Sequence, residues 1–199
     1  MAKKQIRKLK MMKNLIFPYP VVLVGANVRE KPNYMAVGLI GWLCYDTISV
    51  SIGHKQYTRR GIVENGTFSV NQPSSDMMAE TDYCGTYSGR RTNKARLFTS
   101  FYGSLKTAPM IDECPVNIEC RVIQTLERPI HTVFIGEVVS VYMDTAYSRR
   151  GVPDVEKIKP LFYAPVAGRG KTEHNYYTLS DRIGRAWHEG KKIKVKGKR

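Results

Sequence analysis

The side chains of this chain best suited to chemistry are donors for an anion. His54, Lys55, Tyr57 and Thr58 form one group, and Ser88, Gly89, Arg90 and Lys94 form a second. Lysine and arginine supply charge, hydroxyls supply short donors, and glycine lets backbone amides approach an oxyanion. The first group follows a β-rich stretch and opens a predicted helix, where unpaired backbone N–H groups favour a phosphate. Standing alone, it equally fits a polar strand end capped by Thr58.

Other chemistries fail on register. Gly168-Arg169-Gly170-Lys171-Thr172 ends like a phosphate-binding loop, but that motif needs glycine where Pro165 stands. Gly85-Thr86-Tyr87-Ser88-Gly89 approaches a nucleophile elbow, yet its serine is one place late. His54, His131, His174 and His188 lack metal-ligand spacing, so no metal site is expected. Cys44, Cys84, Cys114 and Cys120 form no Cys-x-x-Cys pair and are expected as reduced thiols, Cys44 and Cys84 in packing roles.

Length and charge narrow the class. A chain of 199 residues with 42% hydrophobic residues suffices for one domain. The formal charge of +15 points first to nucleic acid, but six Lys/Arg lie in residues 1–13 and six more in 191–199, with no acid in either. Without these twelve, 20 basic residues face 17 acidic ones, so no dedicated nucleic-acid or membrane partner is expected. A barrel binding RNA through its basic ends would need an aromatic-interleaved basic strand, which the body lacks. Lys13, Pro18 and Pro20 interrupt the first apolar run, which excludes a membrane span there, and a cytoplasmic protein is expected.

The elements that must position these groups are mainly strands, at 21–25, 48–52, 67–71, 116–123 and 132–143. Val116, Ile118, Cys120 and Val122 alternate with Asn117, Glu119 and Arg121, predicting one packed face and one solvent face. Gly136 is placed for a bulge in a strand long enough to curve round a barrel. Helices are expected at 58–64, 74–80, 93–101 and 179–189. The last has Leu179, Ile183, Ala186 and Trp187 on one stripe, Thr178 as cap and Gly190 as terminator. Few, short helices between strands exclude a doubly wound sheet.

From Phe17 to about Lys192 the chain resembles the flavin reductase-like, FMN-binding split-barrel family that includes flavoredoxins and archaeal ferric reductases. The resemblance rests on Pro18 to Gly25, Lys31-Pro32-Asn33, Tyr57-Thr58, Phe68-Ser69-Val70-Asn71 and Asp82-Tyr83-Cys84-Gly85 with Ser88-Gly89 and Lys94. It continues through Ala108-Pro109-Met110, Glu113-Cys114-Pro115, Ile135-Gly136-Glu137-Val138 and Pro153-Asp154. It implies a mainly β, six-stranded antiparallel split barrel at 17–190, between a basic segment (1–16) and a basic disordered tail (191–199). It further implies a homodimer with one FMN per subunit.

By the same resemblance Ala36, Val37, Gly38 and Leu39 pass along the flavin ring, and His54, Lys55, Tyr57 and Thr58 hold the phosphate or ribityl chain. Asn71 fixes a polar edge, and Ser88, Gly89, Arg90 and Lys94 complete the pocket. The implied activity is hydride transfer from NADH or NADPH to FMN and onward to free flavin, a ferric complex or a redox protein, with no catalytic side chain. The alternative is a flavoredoxin-like electron carrier without efficient NAD(P)H oxidation. Ala36, Leu39, Thr47 and Ile48 depart from the family's frequent Thr, Trp and Pro pair, which removes contacts to the ring.

Overall fold

Alternating side chains build the sheet. In the computed structural model, which describes residues 17–167 and 172–187, Ile48, Val50 and Ile52 are buried while Thr47, Ser49, Ser51 and Gly53 take the other, half-buried face. The chain runs β1 (Tyr19–Pro20), β2 (Val22–Val28), β3 (Lys31–Val37), β4 (Ile40–Cys44), β5 (Thr47–Gly53), α1 (Tyr57–Asn65), β6 (Thr67–Gln72) and α2 (Met78–Thr86). It continues through β7 (Ser100–Phe101), β8 (Met110–Ile111), β9 (Val116–Glu127), β10 (His131–Met143), β11 (Ser148–Arg149), β12 (Val152–Pro153), α3 (Val155–Ile158), β13 (Phe162–Ala167) and β14 (Thr172–Tyr177). Residues 1–16, 168–171 and 188–199, which include both basic ends and most of the rejected phosphate-loop sequence, lie outside the described residues.

Seven antiparallel strands form the main sheet in the order β3-β2-β6-β9-β10-β5-β4. Its two ends, β3 and β4, are joined through Gly38-Leu39 alone, so a single interrupted pass closes the ring. Six strands were expected, and the main sheet has seven. Where the pass breaks, Ser51 N donates to Leu39 O at 2.9 Å, and β3 and β5 are not ladder partners. This seam is the split of the barrel.

Val24, Ala26, Val50, Ile52, Phe68 and Phe134 fill the interior, each large side chain contributing roughly 1.5–3 kcal/mol. The predicted bulge in β10 falls at Ile135/Gly136, where Gly136 lies against the Phe68 ring. A second cluster, Leu23, Tyr34, Cys84, Ile111 and Cys114, packs α2 onto the outside of β2 and β3. Helix α1 ends at Gly66, whose left-handed φ of 64° lets its N–H reach Ile62 O at 2.8 Å. Among the described residues no helix is long and apolar enough to cross a membrane.

Three expectations are corrected. Asn117 and Glu119 do not meet solvent: the segment from Thr99 to Cys114 covers that face of β9. Glu119, 0% exposed, accepts from Ser104 N (2.9 Å), Leu105 N (2.8 Å) and Tyr142 OH (3.0 Å), which satisfies a carboxylate that burial alone would penalise. The helix expected at 93–101 shrinks to a 3-10 turn, Lys94–Leu97, before the chain extends into β7.

The C-terminal helix is absent from residues 178–187. Ile183 and Trp187, half of its apolar stripe, are 102% and 92% exposed. A short helix with no surface to pack against is marginal in water, however good its periodicity.

Candidate functional site

The second predicted group sits on the loop after α2, and its backbone is tightly organised. Tyr87 N donates to Tyr83 O (3.0 Å), while Ser88 O accepts from Arg91 N (3.0 Å) and Thr92 N (3.2 Å). Ser88 Oγ accepts from Arg90 N at 3.3 Å, which makes this serine a turn-former. Lys94 returns to the end of α2 and donates to Cys84 O (2.9 Å) and Tyr87 O (3.1 Å), two carbonyls that a helix terminus leaves without partners. Burial lowers the pKa of Lys94 and pushes the nearby Cys84 thiol up to about 11.

Against this loop stands the start of α1. Asn33 on β3 donates through Nδ2 to Thr58 Oγ1 at 2.7 Å, both residues being buried. Gly89 lies directly over Asn33 and the Tyr57 ring, and a Cβ there would collide with Asn33 Oδ1 and approach Tyr57 Cδ1 to 2.8 Å. Glycine is required by this contact between loop and wall.

These contacts leave a cleft of about 520 Å³ lined by Arg29, Lys31, Asn33, Tyr57, Arg90 and Arg91, with Gly89, Thr92 and Asn93 on its loop side and no carboxylate in the lining. Arg29 and Glu30 are the two-residue turn of the β2–β3 hairpin, with φ of 50° and 63°. That turn ordinarily takes Asn-Gly, and left-handed backbone costs other residues roughly 1–2 kcal/mol each. Arg29 N is anchored on Glu64 Oε2 at 3.3 Å, and Glu64 is itself paired with Arg60.

The ring segment runs along the seam. Ala36 faces outward against Gly85 of α2, Val37 points into the barrel core, and Leu39 is 41% exposed. A Cβ on Gly38 would come within 2.5 Å of Tyr163 Cε1, so the sheet formed by β1, β13 and β14 closes on this junction. Tyr163 stacks on Tyr19 at 5.1 Å. Tyr176, on the next strand, donates to Asp82 of α2 at 2.9 Å.

Thus Tyr57, Gly89 and Arg90 meet at one cleft with Thr58 beneath, while several other expected contacts lie elsewhere. Asn71 is 0% exposed and bonds Leu23 O (2.7 Å), Ser69 Oγ (3.0 Å) and Ile111 N (3.2 Å), so it braces the core and is withdrawn as a ligand contact. Val37 presents no side chain outward. His54 is paired with Glu127 at 3.1 Å, and Lys55 is exposed outside the cleft lining. Cys44, expected to pack, is exposed and donates to Asp46 Oδ1 at 2.8 Å.

Arg29, Lys31, Asn33, Arg91, Thr92 and Asn93 were missed as cleft residues. For Arg29 and Lys31 the available signal was a cation in a two-residue hairpin turn and another just after it. Among the described residues no group of His, Cys, Asp and Glu is arranged to hold a metal.

A mainly β barrel with a basic cleft between the β2–β3 turn and the loop after α2 is the architecture, and comparison supplies the family. The Flavin reductase like domain model matches residues 12–166, and the chain belongs to that family. It is similar to the solved flavoredoxin of Methanosarcina acetivorans, with 42% identity, 94% of this chain and 98% of that one covered, and a TM-score of 0.85. The flavoredoxin of Desulfovibrio vulgaris (Miyazaki F) is 33% identical over 93% of this chain and 100% of its own, with a TM-score of 0.82. An uncharacterized Archaeoglobus fulgidus protein is 34% identical over 148 residues, 72% of this chain and 82% of that protein.

Proposed function

We propose that this chain is an FMN-containing oxidoreductase that takes electrons from NADH or NADPH and passes them to a flavin, a ferric complex or a redox protein. The observation that carries the reading is the basic cleft at which Tyr57, Gly89 and Arg90 converge, at the end of β3 remote from the Gly38-Leu39 seam. At the seam Leu39 is exposed beside the small Ser51, which offers a surface to a planar ring, and Tyr57 and Arg90 offer a hydroxyl and a guanidinium to a phosphate. FMN combines those two parts and fits the residues present.

When bound, FMN supplies the electron chemistry, accepting a hydride equivalent and releasing electrons to the acceptor. The residues of the chain bind and orient. Arg90, Tyr57 and the backbone around Gly89 hold the phosphate, with Lys55 adding charge from outside. Ala36 and Leu39 give apolar surface to the ring, the backbone of Gly38-Leu39 faces its polar edge, and Tyr163 limits solvent access at Gly38. No side chain is assigned as acid or base.

The protein acts as a homodimer, for which the exposed Trp42, Leu43 and Tyr45 on the β4–β5 hairpin offer an apolar surface. Four free thiols fit the reducing cytoplasm.

The test is the visible spectrum of purified protein incubated with FMN and gel-filtered, followed by anaerobic addition of NADH and NADPH. Retained flavin that bleaches with either nucleotide is the expected result, and colourless protein would end the reading. The flavoredoxin at 42% identity favours a second reading, an electron carrier without efficient NAD(P)H oxidation. Retained flavin that stays oxidised would select it.

A further inference from the structure

The cleft holds more positive charge than one flavin phosphate needs. Arg29, Lys31, Arg90 and Arg91 line it together. Among the described residues none of the four is ion-paired with a carboxylate, the nearby Glu64 being engaged by Arg60 at 2.5 Å. A phosphate monoester carries about −1.5 to −2 at neutral pH. Arg90 and Arg29 stand together at Tyr57, and Lys31 and Arg91 make up the rest of the basic lining with the polar side chains of Thr92 and Asn93.

We propose that the part of the cleft lined by Lys31 and Arg91 is a second phosphate subsite, which takes the 2′-phosphate on the adenosine ribose of NADPH and makes the protein select NADPH over NADH. The inference rests on the oxidoreductase reading above. Its chemistry follows from the lining. A ribose 2′-hydroxyl is recognised by an acceptor carboxylate, a 2′-phosphate by arginine, and this cleft has arginines without a carboxylate.

Strand β3 carries Lys31 at the cleft and Val37 at the seam, six rises of about 3.3 Å or roughly 20 Å apart, so the cleft is a site separate from the seam. The floor is also built. Asn33 is buried, bonded to Thr58 and packed under Gly89, and the strained Arg29-Glu30 turn holds one cation at the rim.

Calorimetry on the FMN-loaded full chain compares 2′,5′-ADP with 5′-AMP, which lacks the 2′-phosphate, in wild type and in the Lys31→Ala/Arg91→Ala variant. We expect wild type to bind 2′,5′-ADP at least tenfold more tightly than 5′-AMP. The variant should lose about tenfold per cation for 2′,5′-ADP alone, with its flavin spectrum and NADH-driven bleaching unchanged. Equal affinity for the two probes, or an unaltered preference in the variant, overturns the proposal. Loss of flavin from the variant also overturns it, because the cations would then belong to the flavin phosphate. If wild type retains flavin but neither nucleotide bleaches it, the reductase reading fails by itself. A 2′,5′-ADP preference that depends on the two cations would still uphold the subsite, and its absence would remove it.

Discussion

Arg90 and Lys94 lie on one loop and end in opposite positions. Lys94 is 3% exposed with its ammonium on two backbone carbonyls, whereas Arg90 stands exposed at the cleft. The difference teaches how a polar motif divides between scaffold and ligand. A charge taken from water must be answered by fixed acceptors, so Lys94 closes α2 and shapes the loop, while a charge left at the surface without a partner is available to an anion. Asn71 repeats the first pattern and Lys31 the second.

The largest effect expected from this comparison is on stability. Lys94→Met leaves Cys84 O and Tyr87 O without their donor and should lower the unfolding free energy by about 2–4 kcal/mol in urea titration. Arg90→Ala should change it by less than about 0.5 kcal/mol while weakening FMN about tenfold. Equal stability losses in the two variants would break the comparison.

Gly89→Ala tests the contact between the two sides. Its Cβ meets Asn33, which the bond to Thr58 holds in place, so a loss of about 1–3 kcal/mol is expected together with poor flavin retention by gel filtration. Unchanged stability and flavin content would mean that the loop can move away from the wall.

Buried thiols supply a pH dependence of opposite sense to the lysine. Burial raises Cys84 to about 11 and Cys120 to about 12 from an ordinary 9.0. The unfolded chain therefore releases these protons first as pH rises, so the stabilisation is full below pH 9 and is lost as pH climbs through the folded values. Chemical denaturation from pH 8 to 10.5 should show a decline of about 1 kcal/mol per thiol per pH unit above 9, shallower in Cys84→Ala/Cys120→Ala. The lowered pKa of Lys94 works the other way, since the unfolded chain then holds the proton longer and stability rises with pH. A flat wild-type profile would show the thiols to be less enclosed than the fold implies.

The smallest effect concerns His54. It is paired with Glu127 on an exposed edge, and such pairs contribute little. His54→Gln should leave both the melting temperature and FMN retention unchanged within error, and a clear loss of flavin would restore His54 to the phosphate site.

Much of the frame was legible because its signals are local. Alternation marked β5 and β9, the helix expected at 58–64 is α1, and Gly136 marked the bulge in β10. The motif residues Tyr57, Gly89 and Arg90 also converge in space. What failed depended on neighbours distant in sequence. The polar face of β9 became interior when another segment covered it, and the stripe at Leu179 to Trp187 did not become a helix because no surface among the described residues receives Ile183 and Trp187.

The sequence by itself therefore determined the strand periods, the mainly β class, the basic ends and the set of residue types able to meet a phosphorylated planar ligand. These depend on side-chain alternation and composition. Tertiary structure alone decided which cations are answered within the protein and which are not, and it brought the Arg29-Glu30 turn beside the loop at Gly89 to make one cleft. The packing of α2 onto β2 and β3 and of Gly89 onto Asn33 sets that proximity, and no spacing along the chain encodes it.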